Sequence, residues 1–153
     1  SFDWRSLSAV RALAPDIRTA CLTMEAQVHN IGYGLPPEQS KTWEGNIQRG
    51  RTGPSPWTGW LDVDDFGGDV PALVAAAGCA VWSPDFDDLT PAALRRAHEL
   101  GLEVVVWTVN EPDDMDALIE MGVDGIITDY PDRLRAVMAK RAMPLPEPTP
   151  VRP

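Results

Sequence analysis

The chain has 153 residues, 44% of them hydrophobic, and sets 13 Lys plus Arg against 23 Asp plus Glu for a net charge of −10. That is enough chain for one domain with a real core, and no apolar run is long enough to span a bilayer. The acidic balance argues against a nucleic-acid partner, which would need a basic face for the phosphates.

The chain opens on "SFDWRSLSAVRALAPD", in which Leu7, Val10 and Leu13 recur at helical spacing and Pro15 ends the run. "SF" then stands where the C-terminal tip of a preceding strand belongs. "RTACLT" (18–23) reads as the next strand, short and apolar with a polar end.

Residues 24–69 break the rhythm. This insertion carries "GYGLPP", "RTGPSPWTGWLDVDDFGGD" and three tryptophans, Trp43, Trp57 and Trp60, and its length predicts a functional loop over the mouth of the fold. Asp62, Asp64 and Gly67 have the offsets of a calcium loop. Phe66 stands where a third oxygen ligand belongs and Leu73 replaces the closing Glu, so that reading fails. Asp69 is expected to cap the helix "PALVAAAG".

From there strands and helices alternate. "CAVWSPD" (79–85), "EVVVWTVN" (103–110) and "DGIITD" (124–129) are apolar runs with polar ends. A run such as Val104-Val105-Val106 without alternation is expected of a strand buried on both faces of a parallel sheet. The helices between carry clear punctuation. Thr90-Pro91 starts one that Gly101 stops, Pro112 starts a second that Gly122 closes, and Pro131 starts a third. A domain of residues 1–142 is expected, followed by a Pro-rich, disordered tail at 143–153.

Cys21 and Cys79 both lie in apolar runs and read as buried free thiols, which fits a reducing compartment and a cytoplasmic protein. His98 reads as a solvated helix residue, and His29 lies in the insertion. There is no histidine pair or cysteine pair at metal spacing, no Gly-rich phosphate loop and no nucleophile elbow.

Polar residues close every strand: Ser1 and Asp3, Thr23, Ser83 and Asp85, Thr108 and Asn110, Thr128 and Asp129. In a parallel array these share one rim, where sites are built. Caps and turns would explain each singly. Phe2, Trp82 and Trp107 sit beside those ends, where an aromatic can either fill the core or wall a pocket for a small amphipathic ligand.

"SFDWRSL" together with "AVWSPDFDDLTPAALRRAHELGLEVVVWTVNEPDDMDALIEMGVDGIITDYPDRL" resembles the second half of the glycerophosphodiester phosphodiesterase family. The resemblance covers residues 1–23 and about 70–138, and "WTVN" followed by "TDYP" is its most specific part. It implies an α/β fold, the C-terminal portion of a TIM-type (β/α)8 barrel holding about five βα units. It also implies metal-dependent hydrolysis of glycerophosphodiesters to glycerol 3-phosphate and an alcohol, with two histidines as acid and base and Mg²⁺ or Ca²⁺ on carboxylates. The family motifs for those groups have no counterpart in this sequence, so no catalytic or metal-binding residue is expected here.

Phe2 and Trp107 match family positions that line the pocket against glycerol. Trp82, Ser83, Asn110 and Asp129 are rim positions inferred from strand ends, with shaping roles. The expected partners are a small glycerophosphodiester and the remaining half of the barrel, or self-association if isolated. Two other readings stay open: a doubly wound binding domain, and a relative that binds phosphodiesters without catalysis.

Overall fold

The structure, a computed structural model, describes residues 1–25, 45–50 and 53–147. Its strands β1 (Ala20–Thr23), β2 (Val81–Pro84), β3 (Glu103–Val106) and β4 (Gly125–Ile126) are all parallel and lie side by side in chain order. A doubly wound sheet would reverse its strand order at a switch point. This one does not, which removes the doubly wound reading.

The sheet also continues past β1. Ser1 donates its amino group to the Ala20 carbonyl at 2.9 Å and accepts from the Leu22 amide at 3.1 Å, the hydrogen-bond pattern of a parallel neighbour. "SF" is therefore a strand tip, as its sequence position predicts.

The helices are α1 (Trp4–Leu13), α2 (Val70–Ala76), α3 (Pro91–Glu99), α4 (Pro112–Met121) and α5 (Pro131–Lys140). Their starts follow the punctuation. Asp3, Asp69 and Thr90 accept from the amides of Arg5, Ala72 and Ala93, satisfying donors that the first helical turn leaves unpaired. Gly122 ends α4 at φ +96°, a left-handed conformation that costs glycine nothing.

Register decides which residues point where. Cys21, Trp82 and Val104 are aligned across β1, β2 and β3, so they share one face, and Val106 joins them by alternation. All are at most 3% exposed because the helices cover that face. Leu22, Ser83, Val105 and Trp107 occupy the other, concave face.

One expectation fails here. Cys21 and Cys79 are not free thiols: they form a disulfide with Cα atoms 5.9 Å apart. Fifty-eight residues separate them in sequence, but adjacent strands bring them together, and no local pattern reports that. The cytoplasmic expectation loses its footing with the thiols. Among the described residues no helix is long and apolar enough to cross a membrane.

The stripe of α1 also differs. Trp4 and Leu7 are buried, whereas Val10 is 37% and Leu13 88% exposed, so the buried part of the stripe ends after Leu7. Beyond α5, Arg135 reaches back to the Pro146 carbonyl at 3.3 Å.

Candidate functional site

The polar ends of the strands meet at one rim, where two aromatic rings form a corner. Phe2 and Trp107 stand edge to face with centroids 5.3 Å apart. Phe2 follows Ser1 on the far side of β1, and Trp107 follows β3. In a flat sheet such positions are three strand spacings, about 14 Å, apart with parallel side chains. Contact therefore requires the sheet to curl as a barrel wall does.

Each ring is held. Trp107 donates Nε1 to the Ser83 carbonyl at 2.9 Å, while the buried Ser83 hydroxyl donates to the Val105 carbonyl at 2.6 Å. Asn46 holds the other side. Only 4% exposed, its Oδ1 accepts from the Met24 amide at 2.9 Å, and its Nδ2 donates to the Leu22 carbonyl at 2.8 Å and the Phe2 carbonyl at 3.3 Å.

Asn46 belongs to the long connection after β1 and escaped the reading of the sequence, because nothing local marks an Asn that bonds distant backbone. Gly45 before it was the available signal. A Cβ there would lie 2.0 Å from the Met24 carbonyl oxygen, so only glycine allows the connection to return this close to β1.

The same connection reaches the rim again through Trp57, whose carbonyl accepts from the Trp4 amide at 2.8 Å and whose ring lies 5.8 Å beneath the Arg5 guanidinium. Trp60 is 82% exposed. Of this connection, Asn46 and Ile47 pack against the end of β1 and Trp57 against the start of α1. Trp43 and His29 lie outside the described residues.

Asn110 and Asp129 come together as a clamp between the loops after β3 and β4. Asn110 Nδ2 donates to Asp129 Oδ2 at 3.0 Å, and its Oδ1 accepts from the Asp129 amide at 3.0 Å and the Thr128 hydroxyl at 3.2 Å. Arg133 adds a bond to the Asn110 carbonyl at 2.9 Å and stacks 4.0 Å from the Tyr130 ring centroid. "WTVN" and "TDYP" are thus two halves of one contact.

Trp82 does not join this group. Register puts it on the helix-covered face, 3% exposed, where Nε1 donates to the Thr23 hydroxyl at 2.8 Å. It borders a groove between α2 and α3 with Asp69, Val70, Thr90 and Ala93, away from the Phe2–Trp107 corner.

The acidic residues of "LDVDDFGGD" serve local structure: Asp62 accepts from the Asp64 amide at 3.0 Å, and Asp69 pairs with Arg96 at 2.9 Å. Asp3 caps α1 at the rim, and its hydrogen bonds to the Arg5 side chain hold its carboxyl below the usual range. His98 sits away from the rim and contacts Asp124 at 2.9 Å. Among the described residues, no three His, Cys, Asp or Glu side chains converge to hold a metal ion.

A model of the glycerophosphoryl diester phosphodiesterase family matches residues 56–133. A Mycobacterium tuberculosis protein named "Probable glycerophosphodiester phosphodiesterase 2" is 53% identical over 53 residues, covering 35% of this chain and 20% of its own length. Human lysophospholipase D GDPD3 is 45% identical over 42 residues, 28% of this chain and 13% of that protein. A solved Silicibacter pomeroyi protein, named as a candidate glycerophosphoryl diester phosphodiesterase, matches 94% of this chain with TM-score 0.62 and 34% identity. An Oleispira antarctica phosphodiesterase, solved with the product sn-glycerol-3-phosphate, matches 91% with TM-score 0.58 and 16% identity, a likeness of fold alone. This chain spans 38% and 40% of those two structures.

Proposed function

The chain belongs to the glycerophosphoryl diester phosphodiesterase family, and from that premise we propose that it serves in hydrolysing glycerophosphodiesters to sn-glycerol 3-phosphate and an alcohol, a step of lipid and glycerol metabolism. Its own contribution is the wall of the site. The Phe2–Trp107 corner at the carboxyl end of the curled sheet carries this reading. Two rings set at 89° present an apolar angle to the carbon face of a glycerol unit, while open rim remains for its hydroxyl and phosphate groups.

Ser83, Asn46 and the Asn110–Asp129 clamp keep that corner in place before substrate arrives, so that little ordering is left to binding. Asn110 and Asp129 satisfy one another, which favours a shaping role over ligand contact.

The described residues do not fit a divalent ion, since no cluster of ligating side chains forms among them and Asp129 is engaged by Asn110. No step is therefore routed through one. This reading assigns the Mg²⁺ or Ca²⁺ and the histidine acid and base to other parts of a full barrel.

Assaying the full-length protein for sn-glycerol 3-phosphate release from glycerophosphodiesters, with and without chelator, tests the proposal. Chelator-sensitive release is expected. Binding of glycerophosphodiester without release would support the non-catalytic reading instead.

A further inference from the structure

The two ends of the disulfide sit in unlike surroundings. Cys21 lies within β1, 0% exposed, on the face that the helices cover. Cys79, 6% exposed, lies just before β2 under the side chain of Arg11 from α1. Arg11 Nη1 approaches Cys79 Sγ to 3.9 Å and donates to the Thr19 hydroxyl at 3.2 Å, and that hydroxyl is itself 3.9 Å from Cys79 Sγ. Arg11 Nη2 is anchored on the Ala77 carbonyl at 2.6 Å. Gly78, at φ +74°, makes the left-handed turn that leads the chain into Cys79.

A cation and a hydroxyl beside the Cys79 sulfur favour negative charge there, whereas Cys21 is enclosed within the packing of strand and helices. The cover differs as well. Over Cys79 it is the side chain of Arg11, whereas over Cys21 it is the core.

We propose that Cys21 and Cys79 are a thiol–disulfide exchange site, with Cys79 the nucleophilic sulfur and Cys21 the resolving one, and a small disulfide such as oxidised glutathione as co-reactant. The Cys79 thiolate attacks one sulfur of that disulfide, breaking its S–S bond and releasing one thiolate. Cys21, giving up its proton to solvent, then attacks Cys79 Sγ in the mixed disulfide and releases the second thiolate. Two electrons pass from protein to co-reactant, and the two protons lost by the cysteines balance the two thiols formed. The reverse reaction enters at Cys79 and frees Cys21. The product staples β1 to the entry of β2 and closes the long connection between them. None of this depends on the hydrolytic reading.

Reduced, folded full-length protein would be treated with oxidised glutathione, quenched in acid at increasing times and mapped by peptide mass. In wild type the early mixed disulfide should lie on Cys79 and give way to the Cys21–Cys79 bond. In Cys21→Ala the adduct should accumulate on Cys79 roughly tenfold faster than on Cys21 in Cys79→Ala, and the two rates should converge in denaturant. Arg11→Ala should slow the Cys79 reaction about threefold, because a tenfold loss of thiolate is partly returned as nucleophilicity, and Arg11→Lys should restore it. An early adduct on Cys21 in wild type would overturn the assignment without recourse to any variant. So would two free thiols persisting after equilibration with the oxidant.

Discussion

Trp82 lies within β2 and Trp107 just past β3, but only Trp107 shares the concave face with Ser83, and its consequence is kinetic. Trp107→Ala in the full-length protein should lower kcat/KM about ten- to a hundredfold, since burying an aromatic face is worth roughly 1.5–3 kcal/mol. Chelator sensitivity should be unchanged, and a loss of metal response with intact substrate binding would displace Trp107 from this role. Trp82→Phe removes the bond to Thr23 and some core volume, at a cost of about 2 kcal/mol in unfolding free energy. Its KM should stay at the wild-type value. A raised KM with an unchanged urea midpoint would return Trp82 to the site.

Between elements, buried polar side chains and surface ion pairs contribute unequally. Asn46→Ala strands the Met24 amide and leaves the Leu22 carbonyl with only the Trp4 indole N–H, so a loss of about 1–3 kcal/mol is expected by urea unfolding, with faster proteolysis in the connection after β1. The α4–α5 contact rests in part on Asp116 and Arg141, 2.5 Å apart at the surface. The hydrogen bond from Arg141 holds the Asp116 carboxyl below its ordinary range. A carboxyl lowered on folding stabilises above its unfolded pKa, about 4, and that contribution disappears as pH falls through the lowered folded value. Asp116→Asn should therefore melt slightly below wild type at pH 7, with the gap closing below about pH 4. A gap that persists or widens in acid would contradict the ion pair.

At the scale of the molecule, the sheet is open on both sides among the described residues. β4 pairs only with β3 among the described strands and Ile127 after it is 46% exposed, while Val10, Leu13 and Ile17 lie 37%, 88% and 56% exposed around α1. A barrel has no such edges. Residues 1–153 produced alone are expected to self-associate on analytical ultracentrifugation and to release no sn-glycerol 3-phosphate. Co-production with the other βα units of a full barrel should suppress the association. A monomeric, chelator-sensitive phosphodiesterase made of these residues alone would overturn both the partial-barrel reading and the assignment of catalysis elsewhere.

Helix boundaries were legible in the sequence because caps and stops are local chemistry: Thr90 before Pro91, Asp69 before the α2 helix and Gly122 after α4 act on amides and carbonyls within a turn of themselves. The strands and the family could be read for the same reason, through contiguous runs such as "EVVVWTVN". The faces of those strands could not. Val104-Val105-Val106-Trp107 is apolar at every position, so its alternation carries no signal, and only register against β2 and β4 assigned Trp107 to the mouth and, by the same logic, Trp82 to the core. Cys21 with Cys79, Asn46 with Phe2 and Asn110 with Asp129 meet across 58, 44 and 19 residues. Such contacts exist only after parallel strands have aligned, and the chain's local pattern holds no record of which distant partner a buried sulfur or amide will find.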